Sequence, residues 1–378
     1  YKVRALLLSD GTLEFNYYDR RRTIHGGTIQ QVFEVDVNGY SSASARLWDS
    51  IKLLVSKVYI DSSIAGVGIT NCAYWFNAFA NCTEVSGFEN LSGITNANQM
   101  FTSCSNLETI YATSFSNTGL SGSYMFNGCT KLVGGTDGFV PSTTSGASVC
   151  KLGAGGVLTD PNNDARTWFW AHFYEDGEAV LTATATPEAN RPLRASGRIC
   201  AIAKYQGIGF TPWTGATGST HRQYLTSATF AADMASFSYL NLIYLFYSCT
   251  NLATITGLGN LSGVRQMRYT FSSCAVTTLD FRGFDPSTLT DLFYCFSGCS
   301  SLTTIYADST WTLPSSGISG SQCFYSCNSL VGGNGTVWSS GNTGYTYMRI
   351  DRTGQPGYLT RGGHDGAAGA LRRAGRAD

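Results

Sequence analysis

The residues best able to do chemistry in this 378-residue chain are its twelve cysteines and four histidines. Cys295 with Cys299, and Cys323 with Cys327, have the Cys-x3-Cys look of paired metal ligands. His25, His172, His221 and His364 form no helix-spaced pair, and none adjoins a cysteine in a setting that would make a nucleophile. Asp280 and Asp285 are the best candidates for the two carboxylates of a glycosidase. Each reading has a plainer competitor, because Cys299, Cys327 and most other cysteines occupy one fixed place in a repeating unit, where packing accounts for them.

That unit is Phe-x-x-Cys, found seven times, at Phe79, Phe101, Phe126, Phe246, Phe271, Phe296 and Phe324, with cysteines at 82, 104, 129, 249, 274, 299 and 327. A unit returning every 22 to 28 residues points to a solenoid, whose coils bury their apolar faces by stacking on one another. After the cysteine comes a strand-like phrase, as in Ser105-Asn106-Leu107-Glu108-Thr109-Ile110 and Ser300-Ser301-Leu302-Thr303-Thr304-Ile305. Phe and Cys three apart share one side of a helical turn, so each coil reads as a strand plus a short helix.

A larger repeat encloses the small one. Asp10-Gly11 and Asp176-Gly177 are 166 residues apart, each a hairpin signal between apolar runs, and both halves close on Leu-Val-Gly-Gly, at 132–135 and 330–333. The expected plan is a first cap and three coils over 1–160, a second cap and four coils over 161–361, and a flexible tail over 362–378. The boundary is placed in the turn-forming run Asp160-Pro161-Asn162-Asn163-Asp164.

Composition narrows the class. The chain is 43% hydrophobic and only 13% charged, and its 25 basic and 25 acidic side chains cancel. Bulk charge therefore attracts neither nucleic acid nor an anionic membrane. No apolar run approaches the ~20 residues that span a bilayer, so no membrane insertion is expected. The surface must be built from Ser, Thr, Asn, Gly and Tyr, as on secreted and virion proteins. A ladder of thiols at one repeat position faces inward in register, so mostly free, buried thiols are expected rather than disulfides; Cys72 with Cys82 and Cys323 with Cys327 are the pairs to test first.

The coils resemble the BspA-like bacterial leucine-rich-repeat family, of the kind found in mycoplasma surface lipoproteins. The resemblance rests on Met125-Phe126-Asn127-Gly128-Cys129 and on the run from Cys274 through Leu279, Phe281 and Phe284 to Leu292, and it covers about 79–135 and 246–335. It implies a repeat solenoid of the α/β leucine-rich-repeat type: a parallel β-sheet of short strands with short helical turns, in two tandem arrays with β-rich caps. It also implies an extracellular place, on a bacterial cell surface or a gut-associated phage, and a role in adhesion. No catalytic residue, cofactor or metal comes with it.

Strand alternation then selects the face a partner would meet. With Leu and Ile inward, Thr109 and Tyr111, Thr254 and Thr256, Thr278 and Asp280, and Thr304 and Tyr306 form two outward rows. The function expected is a non-catalytic adhesion module that recognises a host glycan or surface protein on this face. The alternative is a structural spacer or assembly component, a homo-oligomer or particle scaffold with no foreign ligand.

Overall fold

Gly11 and Gly177 both take left-handed backbone, at φ +86° and +92°, which only glycine adopts without strain, so each Asp-Gly pair turns a hairpin. Asp10 and Asp176 fasten these turns by accepting from the backbone N–H groups of Thr12 and Glu178, at 2.9 and 3.0 Å. The structure, a computed structural model, describes residues 2–17, 24–214 and 221–362. The chain divides into two compact units, Tyr1–Arg166 and Thr167–Asp378. The expected tail lies outside the described residues except for Gly362.

In the first unit, β1 (Val3–Leu8) pairs antiparallel with β2 (Thr12–Tyr17) and with β3 (Ile29–Glu34). From β2 a parallel run continues through β4 (Lys57–Ile60), β5 (Glu84–Ser86), β6 (Thr109–Tyr111) and β7 (Leu158–Thr159). The second unit repeats the start: β8 (Trp168–Tyr174) pairs antiparallel with β9 (Glu178–Thr182) and β10 (Leu193–Cys200), and β9 leads in parallel to β11 (Ser227–Phe230). Of the remaining strands, β12 (Leu240–Asn241) pairs with β14 (Val264–Gln266), and β13 (Thr254–Thr256) with β11. Strand β15 (Thr278–Asp280) pairs with β16 (Thr304–Asp308), which pairs with β17 (Leu359–Gly362). The sheets are thus mixed, antiparallel at the opening hairpins and parallel from coil to coil. A two-residue turn can only fold a strand back antiparallel, whereas one strand per coil must repeat in the same direction.

The Phe-x-x-Cys segments are not helical. Every helix among the described residues is a 3-10 turn of three to five residues, and several follow a strand, as Phe88–Leu91 follows β5 and Leu258–Asn260 follows β13. The reason lies in the backbone on either side of the repeat Phe. The second residue before it and the second after it are left-handed: Gln99 and Ser103 at φ +51° and +63°, Tyr269 and Ser273 at +53° and +60°. Such alternation breaks an α-helix and aims every other N–H at the next coil. Ala97, Gln99, Phe101 and Ser103 donate to the carbonyls of Ser121, Ser123, Met125 and Asn127, at 2.7–3.0 Å.

Because all these bonds run the same way, no earlier coil reaches the carbonyls of the first coil of each array, and Trp and Arg side chains meet them. In the first unit the Trp48 indole N–H donates to the Trp75 carbonyl at 2.9 Å, and Arg46 Nη1 donates to the carbonyls of Tyr74 and Trp75 at 2.7 and 3.1 Å. In the second, Trp213 donates to the Leu245 carbonyl at 3.2 Å and Arg222 to that of Tyr247 at 3.5 Å. A cation suits the carbonyl end of aligned peptide dipoles, as at the C-terminus of a helix.

The side chains show the true register. Phe76, Phe101 and Phe126 stack in the first unit with centroids 5.3 and 5.7 Å apart. Phe246, Phe271, Phe296 and Phe324 stack in the second at 6.2, 5.5 and 5.3 Å. The first column begins at Phe76, not Phe79. The left-handed residues of that coil, Tyr74 and Ala78, flank Phe76, so Phe79 fills the thiol position and Cys82 the position of Leu107 in the next coil. The match Phe79-x-x-Cys82 is therefore out of register by three residues. The 22-residue step from Phe79 to Phe101, against 25 from Phe76, is its trace in the sequence, and the motif hides it because aromatic and thiol groups both satisfy a buried apolar slot.

Candidate functional site

The sheet-face residues selected from sequence are placed unequally. Thr254, Thr256, Thr278 and Asp280 are exposed, and Tyr111, Thr304 and Tyr306 are half-buried. Thr109 is buried, at 2% exposure, which corrects its expected outward role. It does leave β6 on the side away from Ile110, but Arg166 lies over it and donates to its hydroxyl at 2.9 Å. Thr256, Asp280 and Tyr306 are engaged with neighbours. Thr256 shares a 3.0 Å hydrogen bond with Thr229, whose hydroxyl donates to Glu178 at 2.6 Å. Asp280 holds Arg282, with Nη2 2.6 Å from its carboxylate, and that guanidinium lies 5.4 Å from the centre of the Tyr306 ring.

A second, aromatic surface lies on the turns. Tyr244, Tyr269 and Tyr294 all stand two residues before a repeat Phe and 25 residues apart, and their rings stack at 4.8 and 5.0 Å, nearly parallel. Tyr325, 50% exposed, extends the row at 6.2 Å. Tyr247 packs edge-on against Tyr244 and Tyr269. All three stacked tyrosines have positive φ, between +50° and +57°, a conformation that costs a bulky residue roughly 1–3 kcal/mol. Burial holds Tyr244 and Tyr269 above the usual phenol pKa, aided in each case by the next tyrosine of the row, so both hydroxyls stay protonated at neutral pH.

Beside Tyr244 is a groove of ≈ 380 Å³, lined also by Lys204, Tyr205, Gln206, Gln266, Arg268 and Asp291. Arg268 is fixed there from two sides. Its Nε donates to Asp291 at 2.8 Å, and its guanidinium lies 4.4 Å from the centre of the Phe293 ring. The sequence reading missed this face because it followed strand alternation. The signal was present in the 25-residue recurrence of Tyr-x-Phe.

Other reactive groups are tied into structure. The cysteines are all buried thiols. Burial pushes Cys249 and Cys299 up to about 12, which makes them poor nucleophiles and poor metal ligands. Glu14, His25 and Asp61 bring ligand atoms within 4.8 Å of one another, the donor set of a cation site. However, Glu14 already accepts from Asn16 and from the His25 backbone N–H, and Asp61 from Ser63. His172, buried on β8, contacts the Thr184 carbonyl through Nε2 at 2.9 Å and the Ser196 hydroxyl through Nδ1 at 2.7 Å. With Nε2 donating to the carbonyl, Nδ1 accepts from Ser196, and the ring joins two strands and a loop.

Stacked coils with one short strand each, a buried aliphatic side chain in each strand and few, short helices define a protein of the leucine-rich-repeat type. Residues 68–134 and 225–334 match the family model described as BspA type leucine rich repeat region, in six copies, and the two repeat arrays belong to that family. Among solved structures, the chain is similar to a leucine rich cell surface protein from Faecalibacterium prausnitzii A2-165, at 15% identity over 87% of this chain and 92% of that one, with a TM-score of 0.27. It is also similar to a leucine-rich repeat protein from Eubacterium ventriosum, at 15% identity over 91% and 97%, with a TM-score of 0.25. No curated protein matches the chain. No helix among the described residues is long and apolar enough to cross a membrane.

Proposed function

We propose that the chain is a non-catalytic binding module of a surface-displayed protein, and that it takes a protein partner on the turn face of its second array. The stacked row Tyr244–Tyr269–Tyr294 carries this reading. Tyrosine offers a large apolar body with a polar tip at little cost in side-chain entropy, which is why it recurs at binding hot spots. Because each ring covers the face of the next, a sugar ring has little aromatic face to stack on. Ring edges and hydroxyls are what remain, and these suit a protein better than a glycan. The buried thiols are compatible with display outside the cell, since they are shielded from oxidation and disulfide exchange.

The test is binding of the full chain to a panel of purified extracellular-matrix and mucosal proteins. At least one should bind, with Tyr269→Ala weakening it about tenfold while the variant stays folded. Loss in Tyr306→Ala instead would return the site to the sheet face, and an absence of binding at micromolar concentrations would remove the reading.

One observation favours the assembly alternative. Strand β3 ends its sheet with Ile29 47% and Val32 53% exposed, an edge able to pair with another strand. A monomer at 50 µM by light scattering would dismiss a self-assembly role for this edge.

A further inference from the structure

We infer that the groove beside Tyr244 seats an acidic side chain of the partner protein on Arg268; this rests on the protein-binding reading above. The groove is lined by two cations, Lys204 and Arg268, and by one carboxylate, Asp291. That carboxylate is already spent. It is 8% exposed, with one oxygen accepting from Arg268 Nε at 2.8 Å and the other from the Phe293 backbone N–H at 2.9 Å. The contact uses only the Nε edge of the guanidinium. Nη1 and Nη2 donate to none of the described residues, and the Arg268 side chain is 37% exposed.

Two Nη groups side by side match the two oxygens of a carboxylate. The guanidinium is also held in advance, by Asp291 on its edge and Phe293 beneath its face, so little freedom is lost on binding. Gln206, Gln266 and the neutral Tyr244 hydroxyl line the same groove and can donate to the oxygens or to the backbone around them. The sheet face differs. There Glu178 and Asp176 are held by Arg191, and Asp280 by Arg282, so its carboxylates and guanidiniums satisfy each other. A chain with no net charge therefore keeps an unused guanidinium edge beside its aromatic row. An acidic peptide is favoured over an acidic sugar because the ring faces are covered.

Fluorescence polarisation of the full chain tests this with three labelled hexapeptides, of alternating glutamate and alanine, glutamine and alanine, and lysine and alanine, and with a carboxylate-bearing oligosaccharide. The glutamate peptide should bind about tenfold more tightly than the glutamine one, and 0.5 M salt should weaken it. The double variant Arg268→Gln/Asp291→Asn, which removes the ion pair as a unit, should abolish that preference, while Arg282→Gln should keep it. If the double variant melts early by circular dichroism, Arg268→Lys, which leaves a cation for Asp291 but lacks the paired Nη groups, answers in its place and should weaken the acidic peptide about tenfold. Equal binding of the glutamate and glutamine peptides, or an unchanged preference in the folded groove variants, would overturn the inference. Binding of the oligosaccharide alone would overturn it in favour of a sugar. If the acidic preference is absent while Tyr269→Ala still weakens capture of a protein partner, only this inference fails; if both effects are absent, the protein-binding reading fails with it.

Discussion

The thiol of Cys299 donates to the backbone carbonyl of Phe271 at 2.9 Å, one coil earlier in the chain. Cys129, Cys274 and Cys327 do the same to Phe101, Phe246 and Phe296, at 3.1, 3.2 and 3.0 Å. The repeat cysteine is therefore a small apolar filler whose one weak donor has a fixed acceptor, which explains its place beside a stacked aromatic column.

The first prediction concerns these thiols. With Cys249 and Cys299 pushed up to about 12 by burial, little thiolate exists at pH 8. A disulfide reagent should find almost no fast-reacting group in the native chain and all twelve cysteines in denaturant. Several fast native thiols, or disulfides found by non-reducing mass spectrometry, would contradict the packing.

The register of the first coil can be tested by size. Cys82 occupies the position that Leu107 fills in the next coil, whereas Cys104 occupies the thiol position. Cys104→Leu should cost roughly 1–3 kcal/mol through overpacking, and Cys82→Leu clearly less. Equal costs by urea unfolding would restore the reading in which both cysteines are equivalent.

Arg46 closes the carbonyl end of the first array with its side chain fully buried, held by Asp49 at 2.6 Å. Arg46→Met would remove the guanidinium's bonds to the Tyr74 and Trp75 carbonyls and leave Asp49 without its nearest cation. The expected loss is about 3 kcal/mol. It should appear as a lower urea midpoint by fluorescence of Trp48 and Trp75, which flank the site. A change under 1 kcal/mol would mean that water replaces the guanidinium.

Acid should loosen the closing segment of the second unit. Burial works to raise the pKa of Asp351, but hydrogen bonds from Thr336, Asn334 and Gly357 outweigh it and hold the carboxyl below its usual value. A depressed carboxyl contributes stability above its unfolded pKa of about 3.9 and loses it as pH falls through the folded value. Asp351→Asn should therefore destabilise the chain by about 2 kcal/mol at pH 7, with the gap to the parent closing below about pH 4. A gap independent of pH would show that the charge is immaterial.

The repeat, the duplication, the hairpin turns and the buried thiols were legible because each rests on local chemistry: Asp-Gly at a left-handed turn, and a Phe and a Cys that return with the coil. The helical reading of Phe-x-x-Cys failed although its spacing was right. A three-residue interval is common to a helix and to the alternating turn found here, and only the direction of the N–H groups toward the next coil separates them. Thr109 lies on the side of its strand away from Ile110 and is nevertheless buried, because Arg166 crosses it from 57 residues away.

From sequence alone it was settled that this chain stacks coils in two related arrays with cysteine and phenylalanine inside, since burial of a periodic apolar face has few other solutions. Tertiary structure decided which surface is open. The 25-residue recurrence sets the tyrosines one coil apart, but whether their rings stack, or a guanidinium spends one edge on Asp291 and keeps the other, depends on how side chains from successive coils pack in space.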